Sequence, residues 1–218
     1  MVIAQKIQII KNTLPPHTTL VAVSKTQPAD VIREAYATGQ RTFGESRPQT
    51  LQDKASKLPE DIEWHFIGHL QSNKIKLVVG VAHTIHSADS EKLLVELNKE
   101  AERQHCIQRC LLQVHIAQEE TKYGFTPGEL RALAATGFLA QLPCLQIAGL
   151  MGMATFTGDA AQIRSEFRIL KNLYAELKQA YYPTDTAFCE LSMGMSNDYA
   201  IAVEEGSTIV RIGTAIFG

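Results

Sequence analysis

The stretch TLVAVSKTQPADVIREAYATG, residues 19–39, contains one predicted strand and the helix that follows it. Its first six residues, Thr19–Ser24, are almost continuously apolar, as in a parallel strand that is buried on both faces. Pro28 presets the φ angle at the start of a helical segment, Ala29–Thr38, and Gly39 supplies a left-handed stop. A strand followed at once by a helix predicts the first part of a β-α-β unit.

The same alternation of strand and helix recurs along the whole chain. Short apolar runs are followed by turn residues and then by segments with helical periodicity. The eight predicted strands are Thr19–Ser24, Arg41–Gly44, Trp64–Gly68, Thr84–Ser87, Cys110–Ile116, Gln146–Gly149, Ala187–Leu191 and Thr208–Ile212. The predicted helices are Ile3–Asn12, Ala29–Thr38, Pro48–Lys57, Ser72–Val79, Ser90–Gln104, Pro127–Thr136, Asp159–Ala180 and Asn197–Glu205.

Local signals mark the ends of two of these helices. Thr126, Pro127 and Glu129 supply, in order, an N-cap hydroxyl, a preset φ angle and a capping-box carboxylate. Ser196 is expected to cap the last helix, and Gly206 is expected to end it.

The order of the elements predicts an α/β protein, a single (β/α)8 barrel of the TIM type over residues 1–218. Eight strands that alternate with helices, without a long break in composition, favour this barrel over an open doubly wound sheet. Few residues follow the eighth strand, so we expect no eighth crossover helix. The N-terminal helix is free to cover that gap.

Composition and charge exclude several classes of protein. The 218 residues are 45% hydrophobic and 20% charged, which is typical of a globular protein with a sizeable core. With 21 Lys and Arg against 23 Asp and Glu, the net charge of -2 lacks the basic excess of a nucleic-acid-binding protein. No apolar stretch approaches the roughly 20 residues that span a bilayer, and the four cysteines lack disulfide or metal spacing. We expect a cytoplasmic monomer without a nucleic-acid or membrane partner.

Lys25 is the first candidate for chemistry, because it directly follows the first strand. Active sites of such barrels lie at the carboxyl ends of the strands. Val21, Ala22 and Val23 direct the strand towards the barrel mouth, where a partly desolvated amine is a candidate Schiff-base nucleophile. A solvated lysine at a strand end explains the position equally well.

Two loops after the last two strands indicate an anion site. The loop LSMGMSND combines Ser192, Gly194 and Ser196 with a predicted helix N-terminus. After the eighth strand, Gly213 and Thr214 offer a bare backbone amide and a hydroxyl. Barrels usually bind phosphate between these two loops, so we predict a phosphate site here. Tight-turn glycines with capping serines are the alternative interpretation.

An amine opposite a phosphate site suggests pyridoxal 5'-phosphate (PLP), and here the sequence resembles the pyridoxal phosphate homeostasis protein family. The resemblance extends from about Leu20 to the last residue. It rests on the segments VAVSKTQP, FGESRPQ, WHFIGHLQSNK, GLMGM, LSMGMSND and VRIGTAIFG. One departure is Ser46, where many members have Asn, although Ser keeps a hydroxyl.

This resemblance implies a barrel like the N-terminal domain of alanine racemase, with PLP bound as a Schiff base to Lys25. It implies phosphate binding by the loops around Ser192–Ser196 and Gly213–Thr214. Further cofactor contacts are implied for three residues, Arg211, Met151 and Asn73.

The histidines give no convincing metal motif. His65 and His69 are four residues apart on a predicted strand and turn, which is too extended for comfortable chelation. His83 and His86 fall on opposite faces of a predicted strand, and no cysteine cluster joins them. We therefore expect no metal site.

The remaining signals are weaker still. Glu119, Glu120 and Lys122 are expected to form a solvated loop after the fifth strand, although Lys122 could reach over the barrel mouth. The chain has no GxGxxG, P-loop or GxSxG motif, so dinucleotide, nucleoside-triphosphate and serine-hydrolase functions have no sequence support.

Three functions are consistent with these residues. The first is a PLP-binding protein that stores, buffers or delivers the cofactor, with apo PLP enzymes as recipients and without turnover. The second is a PLP-dependent amino-acid racemase, which needs a base on each face of the substrate. In the racemases that this barrel resembles, the second base is a tyrosine associated with a β-rich domain, and these residues end at Gly218. The third is a barrel enzyme that acts on a phosphorylated metabolite, with Lys25 as its base or Schiff-base lysine.

Arg211 lowers the expectation of catalysis. A carboxylate beside the pyridine nitrogen of PLP would keep it protonated and make the ring a strong electron sink. The candidate on the last strand is instead Arg211, a permanent cation. If it faces that nitrogen, the ring stays unprotonated and stabilises carbanions poorly, which permits racemases but favours a homeostasis protein.

Overall fold

The protein is a closed barrel of eight parallel strands surrounded by helices. The computed structural model describes residues 2–118 and 123–218. Neighbouring strands pair in chain order, and the last pairs with the first, so the predicted (β/α)8 barrel is confirmed. The strands are β1 (Thr19–Val23), β2 (Thr42–Glu45), β3 (Glu63–Phe66), β4 (Thr84–Ala88), β5 (Gln108–His115), β6 (Leu145–Met153), β7 (Glu190–Ser192) and β8 (Ile209–Ile212).

The helical layer follows the predicted order, and two of its members are 3-10 helices that the sequence did not predict as such. A 3-10 helix, Ser72–Leu77, replaces the predicted α-helix Ser72–Val79, because this short connection closes with bonds between residues three apart, such as Lys74 N–H to the Gln71 oxygen. A second 3-10 helix, Phe138–Gln141, was not predicted. The α-helices are α1 (Ile3–Thr13), α2 (Ala29–Ala37), α3 (Pro48–Ala55), α4 (Glu91–Arg103), α5 (Pro127–Ala135), α6 (Ala160–Tyr181), α7 (Tyr199–Glu204) and α8 (Thr214–Phe217).

The N-terminal helix α1 covers the gap beside β8. Its buried residues, Ile7 and Ile10, belong to the core, and the helix packs against α2 and α8. The sequence predicted no eighth crossover helix, and a single helical turn, α8, follows β8. The capping box predicted at Thr126 and Glu129 is confirmed, with each side chain accepting the other residue's backbone N–H. The predicted loop of Glu119, Glu120 and Lys122 lies outside the described residues.

Apolar side chains fill both faces of the strands. The larger cluster lies between the strands and the helices, and a smaller one consists of residues from β1, β5, β6 and β8. The smaller cluster contains Val21, Leu111, Ala148, Met151 and Ile209.

Among the residues that the structure describes, no helix has both the length and the hydrophobicity to cross a membrane.

Gly149 lies at an irregularity between β5 and β6. Cys110 is opposite Ile147 but Leu111 is opposite Gly149, so β6 carries one extra residue there. Gly149 has a φ angle of +146°, and a Cβ atom would lie 1.9 Å from the carbonyl oxygen of Glu190. Only glycine meets both requirements without strain.

Gly149→Ala should therefore lower the free energy of unfolding by at least about 2 kcal/mol, through backbone strain and a steric clash. Denaturant unfolding monitored by circular dichroism measures this change. Gly158→Ala is the matched control, because no atom lies within 4 Å of the added methyl group. Equal stability changes in the two variants would contradict the strain at Gly149.

Candidate functional site

A cavity of about 350 Å3 opens at the carboxyl end of the barrel. A volume of this size is typical of small-molecule sites. The structure thus brings the candidate amine together with part of the candidate anion loops. The cavity wall includes five of the nine residues predicted from sequence, namely Lys25, Ser196, Arg211, Gly213 and Thr214.

The pairing of β1 with β8 explains this juxtaposition. Val21 lies opposite Arg211 in the closing register. Side chains two residues apart in a strand face the same side, so the row of Val21 and Val23 leads towards Lys25. In the neighbouring row, Arg211 leads towards Gly213. Barrel closure therefore places the exposed Lys25 beside the loop that follows β8.

A buried ion pair holds the residue before Lys25. Lys54 Nζ donates to Glu45 Oε1 at 2.7 Å and to the Ser24 carbonyl oxygen at 2.8 Å. The same Glu45 oxygen accepts the Ser24 hydroxyl at 2.6 Å. The two charged side chains are only 8% and 0% exposed. These bonds fix the backbone from which Lys25 projects, and sequence analysis identified neither member of the pair.

The two anion loops are joined by the hydroxyl of Ser196. This oxygen accepts the backbone N–H groups of Gly213 and Ala215, each at 3.3 Å. Two amides that converge on one oxygen can also bind a phosphate oxygen. The prediction that Ser196 caps the next helix is wrong, because its hydroxyl points to the other loop and α7 begins only at Tyr199, with Asp198 as its N-cap residue.

Asp198 adds a carboxylate that sequence analysis missed. Its Oδ1 accepts the backbone N–H of Met195 at 2.5 Å, and the residue lies in the cavity wall. Burial raises the pKa of Asp198, while the same N–H and the nearby charge of Arg211 oppose that rise. The cavity wall therefore presents a cation and a carboxylate beside the candidate phosphate loops.

Four of the predicted residues lie outside the cavity wall. Asn73 is exposed on its 3-10 helix, whereas Met151 is buried in the smaller apolar cluster. Gly194 has a φ angle of +96°, and a Cβ there would lie 2.6 Å from the Cβ of Ala202, which agrees with the tight-turn interpretation. Ser192 is fully buried. Cofactor contacts of these four residues stay a prediction.

Ser192 instead belongs to a chain of polar side chains inside the barrel. Arg211 Nη1 donates to Ser192 Oγ at 2.5 Å, and this oxygen lies 3.0 Å from His86 Nδ1. His86 Nε2 lies 2.7 Å from His65 Nδ1. We call these four residues the interior chain. It links the cavity at the carboxyl end of the barrel with residues nearer the amino end.

The interior chain fixes Arg211 as a buried cation. Each of its four side chains belongs to a residue that is at most 4% exposed. Burial lowers the pKa of His65 to about 3 and that of His86 well below its usual value, so both rings are neutral at neutral pH. Burial also lowers the pKa of Arg211 to about 10, which leaves it charged. A second bond, from Nη2 to the Gly152 carbonyl oxygen at 3.1 Å, completes its support.

Removal of one member of the Glu45–Lys54 pair should be costly. Lys54→Met should lower the free energy of unfolding by about 3 to 5 kcal/mol, because the buried carboxylate loses its counterion. The double variant Lys54→Met/Glu45→Gln should recover part of that loss. Urea unfolding of the two single variants and the double variant measures the coupling, and additive losses would contradict a buried ion pair.

Comparison with known proteins first defines the class of barrel. The family model described as alanine racemase, N-terminal domain, matches residues 2–218. The predicted likeness to that domain is thereby confirmed.

Closer relatives define the family within this class. The chain belongs to the pyridoxal phosphate homeostasis protein family, and the resemblance identified from sequence is confirmed. The relative of that name from Aquifex aeolicus (strain VF5) is 42% identical over 200 residues, which cover 91% of this chain and 86% of the relative. The human one is 42% identical over 210 residues, covering 91% and 75%. The structure of PipY from Synechococcus elongatus PCC7942 with PLP bound is 40% identical, with a TM-score of 0.88, and covers 99% of this chain and 100% of PipY.

Proposed function

We propose that this chain is a PLP homeostasis protein that stores, buffers or delivers PLP without turnover of a substrate. It acts as a cytoplasmic monomer with one PLP-binding domain over residues 1–218. The observation that carries the proposal is the meeting of Lys25 with the loops of Ser196 and Gly213 in one cavity. The PLP bound to PipY, which is 40% identical over nearly the whole chain, supports the choice of ligand.

The residues of the cavity fit the chemical groups of PLP. Lys25 provides an exposed amine that can condense with an aldehyde. The amides of Gly213 and Ala215, which converge on Ser196 Oγ, suit a phosphate oxygen. Arg211 contributes a fixed positive charge to the wall. PLP supplies an electrophilic carbon and an electron-accepting ring when it is bound.

The proton-transfer groups near the cavity argue against efficient racemisation. A racemase needs a base on each face of the substrate, and Lys25 is one amine. In the described part of the wall, the other carboxylate or amine is Asp198, whose Oδ1 accepts the Met195 N–H. Arg211 is a cation, so it gives the ring no carboxylate partner that would stabilise a carbanion.

Tyr123 is the observation that keeps a racemase as the second candidate. It lines an adjoining cavity that shares Met153 and Phe156 with the first. Its ring centroid lies 4.5 Å from that of His69, whose Nδ1 is 3.1 Å from Asp89 Oδ2. A tyrosine beside the barrel mouth is a candidate second base, so its removal belongs in the test of turnover.

Borohydride reduction should fix PLP to the peptide that contains Lys25, as mass spectrometry of a digest would show. Lys25→Ala should lose the visible absorption of the bound cofactor while its unfolding transition stays unchanged, because an exposed amine adds little to the core. Lys74→Ala, which alters a lysine outside the cavity wall, is the control and should keep the band. Labelling of Lys74 or Lys122 instead would refute the assignment.

Gly213→Val should weaken binding of PLP by about tenfold to a hundredfold, since a charge-assisted hydrogen bond contributes on the order of 1.5 to 3 kcal/mol. Binding of pyridoxal, which lacks the phosphate, should change less. A Cβ at this position lies 3.3 Å from both the Cβ and the carbonyl oxygen of Val23, so Val23 must shift by a few tenths of an ångström. Fluorescence titration with both ligands measures the difference, and Gly158→Val is the control. An equal loss for both ligands would show that these loops do not bind the phosphate.

The holo-protein should not remove the α-proton of common L-amino acids at an enzymatic rate. NMR in deuterated water follows loss of the α-proton, and chiral chromatography follows the configuration. Turnover that disappears in Lys25→Ala and falls in Tyr123→Phe would establish the racemase and overturn the homeostasis function. Transfer of PLP to an apo-enzyme faster than from free PLP would favour delivery, whereas slow release would favour storage.

A further inference from the structure

We propose a second binding site at the amino end of the barrel, where Glu63, His65 and His83 bind a divalent transition-metal ion such as Zn2+. The spacing of histidines within single strands predicted no metal site. Glu63 and His65 lie in β3, and His83 directly precedes the neighbouring strand β4. The site lies at the opposite end of the barrel from Lys25 and shares no residue with the cavity of the proposed PLP site.

The positions of the three side chains follow from strand geometry. Glu63 and His65 are two residues apart in β3, so they face the same side. His65 lies opposite Thr84 in the register of β3 and β4, and His83 directly precedes Thr84. One ligand atom from each of the three proposed ligands lies within 4.8 Å of the other two.

The donor set fits a zinc ion. Two imidazoles and one carboxylate are a common ligand set for zinc that keeps one open position. Bonds of about 2.1 Å in a tetrahedron bring the donor atoms to about 3.4 Å from one another. Glu63 and His83 are exposed and can make this movement, whereas His65 is buried and fixed. The site is therefore arranged around one rigid ligand and two adjustable ones.

Each ligand also has a hydrogen-bond partner on its other polar atom, as metal ligands usually do. His65 Nδ1 lies 2.7 Å from His86 Nε2, which leaves His65 Nε2 for the metal. His83 Nδ1 lies 3.0 Å from Thr84 Oγ1, which leaves its Nε2 in the same way. Glu63 Oε2 accepts the Thr42 hydroxyl at 3.5 Å. The contact with buried His86 holds His65 in place before any ion binds, whereas the exposed Glu63 and His83 can still move.

The net charge of the side chains around the site is negative, which favours binding of a cation. Arg109 is the nearby positive group, and its Nη1 donates to Thr84 Oγ1 at 3.2 Å. Its Nη2 forms an ion pair with Glu190 at 2.8 Å, in which both side chains are 19% exposed. Glu63 then adds a second carboxylate. Two carboxylates against one guanidinium leave a net charge of -1 for the ion to balance.

Isothermal titration of the holo-protein with Zn2+, after removal of free PLP and metal, should show one saturable site per chain. Co2+ should bind in the same place and give visible bands of nitrogen and oxygen ligation without a thiolate charge-transfer band. His83→Ala and Glu63→Gln should each weaken Zn2+ binding by about tenfold or more, because a ligand is lost. Both residues are exposed, so their variants should keep the wild-type unfolding transition in metal-free buffer.

Two control variants separate this site from other metal-binding groups. His17→Ala removes an exposed histidine elsewhere, and Cys189→Ser removes the exposed cysteine next to Glu190. Both should bind Zn2+ like the wild type. Absence of saturable binding, wild-type affinity in His83→Ala, or loss of binding in Cys189→Ser would overturn the proposal.

Discussion

Closure of the barrel by hydrogen bonds between β1 and β8 is the constraint on which the rest of the site depends. These strands are the first and last of the chain, and their register places Val21 opposite Arg211. The loops that follow the two strands therefore meet, although Lys25 and Gly213 are far apart in sequence. A one-residue slip would turn the Lys25 row away from the cavity, because side chains alternate between the two faces of a strand.

The interior of the barrel contains two kinds of side chain. One group is the smaller apolar cluster, and the other is the interior chain of hydrogen-bonded polar residues. The interior chain of Arg211, Ser192, His86 and His65 occupies space that apolar side chains fill elsewhere. Burial of these polar groups is tolerable because each has a hydrogen-bond partner among the four residues of the interior chain. The same chain gives Arg211 a fixed orientation at the cavity and reaches His65, the rigid member of the proposed metal site. The two ends of the barrel are thus joined by direct hydrogen bonds.

The order of strands and helices could be predicted from sequence because each element carries a local signal. Apolar runs such as residues 19–24 and helix signals such as Pro28 and Gly39 act over a few residues. Lys25, Gly213 and Thr214 could be placed at the cavity because the closed barrel brings strand ends together.

Features that depend on the register between distant strands could not be predicted. Ser192 and His86 are 106 residues apart, and only the closed barrel brings them into contact. The Glu45–Lys54 pair and the group of Glu63, His65 and His83 likewise join different elements. The local sequence predicted Ser196 as a helix cap, but its hydroxyl accepts an N–H from the next loop instead.

A crystal structure of the protein with PLP would show whether closure between β1 and β8 builds one binding site. We expect continuous density between Lys25 Nζ and the cofactor, with the phosphate against the amides of Gly213 and Ala215. A phosphate bound at the 3-10 helix that contains Asn73, or a cofactor that makes no bond to Lys25, would contradict it.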